Sequence, residues 1–286
     1  MLSFFYNNTQ KERVRKELAY CRKFKDKIEK QSEKTYHRIV HKKKGLTTIM
    51  KEKLYTIPVN DAYASDCECP ICKMYENIEQ DAMEFTMGPS YMEDDIRMVT
   101  DKKGFCSNHI TKLYRHQNRL GLALMLDTHI KRTINEFEKI RPASAKAPSL
   151  FKKASGTGRI EWLKEINNSC YICERISGTF ERYIATIFYL YSNDKEFASK
   201  IKSSKGLCSK HFTLLYDSAS GYLGGSEYQE FLSLICEVFI NNLKRVEEEL
   251  EWFTDKFDYR NADAPWKNSK DALPRTIIKT NSTFVE

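Results

Sequence analysis

Apolar residues recur at steps of three and four along most of this chain. In its last third, Leu232, Ile235, Phe239, Leu243, Val246, Leu250 and Phe253 form one such row, which predicts a long amphipathic helix. Leu126, Ile130, Ile134 and Phe137 form a second, and Val14, Leu18, Cys21, Phe24 and Ile28 a third, set among lysines and arginines. Each row is expected to turn its apolar face toward a core. Further helical stretches are predicted over 73–87, 107–117, 174–191 and 209–218. Period-two alternation is sparse, and only 11 of 286 residues are glycine, too few for a turn-rich sheet protein. The pattern predicts an all-α fold.

A second regularity lies over the helical one. Cys69-Pro70-Ile71-Cys72 is matched 101 residues later by Cys170-Tyr171-Ile172-Cys173. Gly104-Phe105-Cys106-Ser107-Asn108-His109 is matched 102 residues later by Gly206-Leu207-Cys208-Ser209-Lys210-His211. Thr111, Leu113 and Tyr114 continue the match to Thr213, Leu215 and Tyr216. This self-similarity reads as an internal duplication. The expected organisation is a basic helical extension (1–49), a first Cys/His module (50–141), a linker (142–159), a second module (160–260) and a tail (261–286). The linker is rich in Ala, Ser, Pro, Gly and Lys, and the tail, with Pro265 and Pro274, reads as irregular chain that wraps back on the body.

The duplicated residues carry the chemistry. Each copy supplies three cysteines and one histidine: Cys69, Cys72, Cys106 and His109 in the first, Cys170, Cys173, Cys208 and His211 in the second. Residues three apart at a helix start share one face, so CxxC and CxxH each bring two donors to one ion. Three thiolates and an imidazole suit tetrahedral zinc. Gly104 and Gly206 permit the positive-φ turn that aims a loop into a helix N-terminus, where free N–H groups favour thiolate. The expectation is one closed zinc site per copy, two ions per chain, with an iron–sulfur cluster as the alternative. Disulfides fit poorly with the missing secretion signal, and a c-type haem would need His after CxxC, where Lys73 and Glu174 stand.

Cys67 is an extra thiol next to the first CxxC: it reads as a cysteine packed outside the ligands, or as an accessory reactive or exchangeable one. Cys21 and Cys236 read as packing residues on apolar helix faces. Residues 88–97, Asn118, Arg119, Asp127 and His129 form a polar set with no counterpart in the second copy, and any active site is expected there. Asp127 and His129 lie two apart on a presumed helix and so point to different sides, which favours ordinary salt bridges.

Charge narrows the partners. The chain carries a net +8, but residues 1–49 alone hold 14 Lys/Arg against 5 Asp/Glu, leaving the rest close to neutral. Nucleic-acid binding is therefore expected only through that segment. No apolar run approaches the roughly 20 residues of a membrane span, and the start lacks a signal-peptide pattern. The expected setting is cytoplasmic.

At these motifs the chain resembles an uncharacterised bacterial Cys-rich family with a CPxC, a GFCxxH and a second CxxC/GLCxxH pair. The likeness runs over about 50–286, through residues 55–61, 67–72, 88–97, 121–126 and 273–275. Many members are labelled ABC transporter substrate-binding protein, which implies an exported α/β protein and conflicts with this sequence. The resulting expectation is a non-enzymatic zinc protein that binds or scaffolds another macromolecule, with a protein partner. The alternative is a thiol- or metal-dependent transferase or oxidoreductase using Cys67 or an exchangeable ligand.

Overall fold

A computed structural model describes residues 55–140 and 157–285. Among them are eleven α-helices, two short 3-10 turns and no strand. In chain order the helices are α1 Thr56–Ala64, α2 Pro70–Met87, α3 Asp94–Lys103, α4 Ser107–Arg115, α5 Arg119–Ile140 and α6 Thr157–Asn167. They continue as α7 Tyr171–Asn193, α8 Phe197–Ser203, α9 Ser209–Tyr222, α10 Gly225–Asp255 and α11 Ala272–Asn281. The basic helix expected within 1–49 lies outside the described residues, as does most of the expected linker. α6 begins inside that linker's C-terminal end.

The helix starts follow from local chemistry. Cys69 and Cys170 are the N-caps of α2 and α7, and their sulfurs accept from the backbone N–H of Cys72 and Cys173. Cys106 and Cys208 stand at the N-cap positions of α4 and α9, also with extended backbone, but their sulfurs accept no cap bond. Pro70 stands at the first position of α2, where its missing N–H is no loss. Asn118 accepts from the N–H of Gly121 at 2.9 Å and so caps α5.

The core is built on α2 packed against α7. Tyr75 meets Phe180 edge-on with ring centroids 5.5 Å apart, while Arg175 lies 3.8 Å over the Phe85 ring. Early residues of one helix thus face later residues of the other: the two run antiparallel. α1, α8, α9 and α10 close over them, burying Phe188, Phe197, Phe231, Ile184 and Ile187. Leu113 and Leu215, each four residues after the histidine of a CxxH, are both fully buried.

Three expectations are corrected here. The tail is not irregular: α11 packs along α10 and against α9, and Pro274 is tolerated because it lies in the first helical turn. α5 turns Leu122 and Met125 inward, while Leu126, Ile130, Ile134 and Phe137 stay exposed to the other described residues. α3 meets α5 through another row, Leu124, His129 and Arg132, which contact Arg97 and Asp101 and leave the apolar row outside the contact. Cys236 is exposed on α10, since Phe231, Ile235 and Val238 supply the buried face.

Candidate metal centres

All eight repeated Cys and His side chains gather into two groups of four, but not in the groups expected. One comprises Cys69, Cys72, Cys208 and His211; the other comprises Cys106, His109, Cys170 and Cys173. Within each, the four donor atoms lie within 4.8 Å of one another. The first CxxC therefore meets the second CxxH, and the second CxxC meets the first CxxH. The within-copy quartets, Cys69/Cys72/Cys106/His109 and Cys170/Cys173/Cys208/His211, do not form.

Helix length explains the exchange. At 1.5 Å per residue, α2 carries the chain about 22 Å from Cys72, and the ten residues of α3 can return only about 15 Å of that. The chain is thus delivered to the far end of α2, where antiparallel α7 has its N-terminus. On the return, α7 runs about 35 Å back toward the start of α2, and the seven-residue α8 recovers only about 10 Å. Cys208 and His211 arrive beside Cys69 and Cys72.

In the first centre, His211 Nδ1 lies 3.5 Å from Cys69 Sγ, 3.2 Å from Cys72 Sγ and 3.2 Å from Cys208 Sγ, and the latter two sulfurs are 3.6 Å apart. In the second, His109 Nδ1 lies 3.2 Å from Cys106 Sγ and 3.3 Å from those of Cys170 and Cys173, with Cys106 and Cys173 3.8 Å apart. A tetrahedron with metal–sulfur bonds of about 2.3 Å and metal–nitrogen bonds of about 2.05 Å has edges of about 3.8 Å and about 3.6 Å. The donors stand within a few tenths of an ångström of those edges. Either group could hold a metal ion.

The glycines before each CxxH do what the turn requires. Gly104 and Gly206 have φ of 60° and 75°. At Gly104 a Cβ would lie 2.8 Å from the His129 ring, which itself bonds the Asp101 carbonyl through Nδ1 at 2.6 Å. His129 is thus a support behind the Cys106 turn.

The two centres are stitched together differently. At the second, the Tyr171 N–H donates to Gly104 O at 3.0 Å and the Ser169 hydroxyl to Lys103 O at 2.6 Å. His109 Nε2 lies 3.1 Å from Glu79 Oε1, and Lys112 holds the other oxygen at 2.6 Å. Such a carboxylate fixes the ring so that Nδ1 faces the sulfurs. At the first, the equivalent stitch is a lysine from α11. Lys279 is 1% exposed; its Nζ donates to Glu68 O at 2.6 Å and to Lys205 O, and lies 3.2 Å from Glu68 Oε2. Ser282, just past α11, donates to Cys208 Sγ at 3.0 Å. Sequence reasoning missed Glu79, Lys279 and Ser282, because nothing in their local pattern marks them.

Proximity of the sulfurs sets their acidity. Cys208 is held far below its ordinary value, first by accepting from Cys69 and then from Cys72. Burial, then the bond to Cys208, pushes Cys69 up to about 12, while Cys72 is driven higher still by donating to Cys208. In the second centre, Cys170 is lowered to about 3 by the bond from Cys173, helped against burial by His109; Cys173 is raised by making that bond. Burial works to lower His109, but its bonds to Cys170 and Glu79 outweigh it and raise it to about 10.

A proton count follows. At neutral pH Cys69 and Cys72 in one centre, and Cys173 and His109 in the other, hold protons that a bound ion must displace. Uptake of each divalent ion is expected to release at least two protons. Affinity should then rise at least about a hundredfold per pH unit around neutrality, and flatten only above the raised values. Competition against a chelator of known affinity at several pH values measures the slope; a slope below two would contradict it.

Cys67 stands outside both groups. Its Sγ lies 3.8 Å from Ala62 O and accepts from Ser65 at 3.3 Å. The unrepeated polar set does not converge either: Asn118 caps α5 and bonds Met87 O, and Asp127 pairs with Lys131 on an exposed turn.

A sequence model described as a family of unknown function, DUF6062, matches residues 50–286. The chain belongs to that family. All eight clustered residues lie within the DUF6062 match, and residues 1–49 lie before it. No curated protein matches the chain, and no solved structure does. Among the described residues no helix is long and apolar enough to cross a membrane.

Proposed function

We propose that this protein holds two structural zinc ions that cross-link its two CxxC/CxxH copies into one helical scaffold for a macromolecular partner. The observation that carries the reading is the convergence of three sulfurs and one ring nitrogen, twice, at spacings that fit a single tetrahedral ion. Four protein donors close the shell, and a catalytic zinc ordinarily keeps a position for water. A multinuclear iron–sulfur cluster spreads its ligands around several irons and fits a 4.8 Å donor group less well. Support for a scaffold rather than a thiol enzyme comes from Cys67, which lies apart from both centres against the end of α1. The exposed apolar row of α5 supports a protein partner.

Structural zinc contributes on the order of 10 kcal/mol per site in zinc-finger peptides. That is comparable to a whole domain's stability of about 5–15 kcal/mol. The test is elemental analysis of purified full-length chain, with X-ray absorption at the metal edge and circular dichroism before and after chelation. Two zinc per chain in sulfur-rich four-coordinate shells, with loss of helical melting cooperativity on chelation, is the expected result. Metal-free protein that is fully folded, or iron with cluster absorption, would overturn it.

A further inference from the structure

We infer that the two centres differ in reactivity, and that the second is a hydroperoxide-reactive site at which Cys173 is the sulfur that peroxide oxidises and Cys106 closes the disulfide. This rests on the zinc reading above and adds a reaction to it. The first centre is sealed: Cys69, Cys72, Cys208 and His211 are 1%, 4%, 0% and 4% exposed. α11 lies over it, with Lys279 spanning Glu68 and Lys205 and Ser282 on Cys208. The second is open on one side. Cys173 is exposed and Cys106 half-buried, while Cys170 and His109 are buried behind them.

The reaction needs a thiolate that solvent reaches and a second sulfur within a short move. Cys173 is open to solvent and its sulfur is 3.8 Å from that of Cys106; as a zinc ligand it would be the thiolate. Cys170 is the poorer second sulfur, because it is buried and accepts from the Cys173 N–H.

The Cys173 thiolate attacks one peroxide oxygen and the O–O bond breaks. Sulfur is oxidised to the sulfenic acid, and the departing hydroxide takes a proton to become water. The Cys106 thiolate then displaces hydroxide from that sulfur, forming the S–S bond, and the hydroxide is protonated to a second water. In sum, two thiolates, one hydrogen peroxide and two protons give one disulfide and two waters. Cys170 and His109 alone do not retain the ion, which leaves to solvent. A dithiol reductant with zinc reverses the change.

The experiment uses the zinc-loaded full chain, excess hydrogen peroxide and the chromogenic chelator 4-(2-pyridylazo)resorcinol to count released zinc. Remaining thiols are then alkylated in denaturant and the peptides mapped by mass spectrometry. The expected result is one zinc released per chain at least tenfold faster than the other. A Cys106–Cys173 linked peptide should appear with it, and Cys69, Cys72 and Cys208 should be recovered as alkylated thiols. Release of both ions at one rate, or oxidation confined to Cys67 with both ions retained, would overturn the inference. A linkage of Cys173 to any sulfur other than Cys106 would do so too. Protein that holds no zinc before peroxide is added strikes the zinc reading itself, a separate outcome.

Discussion

Changing Cys69 and Cys208 together to serine is expected to leave one metal ion per chain, and changing Cys69 and Cys106 together to leave none. The first pair belongs to one donor group and the second pair to two. Within-copy centres would give the opposite counts. Elemental analysis after gel filtration in the presence of excess zinc reads the result. Stability should fall with the count. Each lost ion removes a link between segments more than 60 residues apart in sequence, Cys72 to Cys208 in one centre and Cys106 to Cys170 in the other. The loss approaches the order of 10 kcal/mol per site expected of structural zinc. Cys69→Ser alone should therefore melt far below the parent, and adding Cys208→Ser should cost little more, because two residues that act as a unit are not additive.

The second large effect is expected at Glu68. Its side chain is buried beside the first centre and gathers Arg245 at 2.6 Å and Lys279 at 3.2 Å, with Arg275 at 3.9 Å. Removing the carboxylate leaves the Lys279 ammonium 1% exposed and without its counter-charge. Breaking one side of a buried ion pair typically costs about 3–5 kcal/mol, mostly from the charge left behind. Glu68→Ala should lose that much in urea unfolding of the zinc-loaded protein. Adding Lys279→Met should restore a good part of it, since the stranded charge is then gone. If the double variant is no more stable than Glu68→Ala, the stranded lysine charge is not the source of the cost.

Much of this was legible in the chain itself. The row from Leu232 to Phe253 lies within α10, and the stretches expected after each CxxC, 73–87 and 174–191, match α2 and α7 to within three residues, because periodicity and capping are local properties. The paired motifs gave the eight metal-binding candidates and the turns at Gly104 and Gly206, because a donor three residues from another on a first helical turn needs nothing beyond its own backbone. Several readings failed where the deciding contact was remote. Nothing local shows that Leu126, Ile130, Ile134 and Phe137 stay uncovered by the described residues. Nor does a local pattern show that Pro274 begins a helix docked on α10.

By itself, then, the sequence determined an all-helical chain with two kinds of ligand pair, each pair formed within one helical turn. Which pair faces which was decided only by the tertiary structure. Spacing satisfies both assignments equally, since any CxxC can share an ion with any CxxH. The antiparallel packing of α2 on α7 breaks the tie: each helix carries the chain away from its own CxxC, and the helix that follows is too short to bring it back.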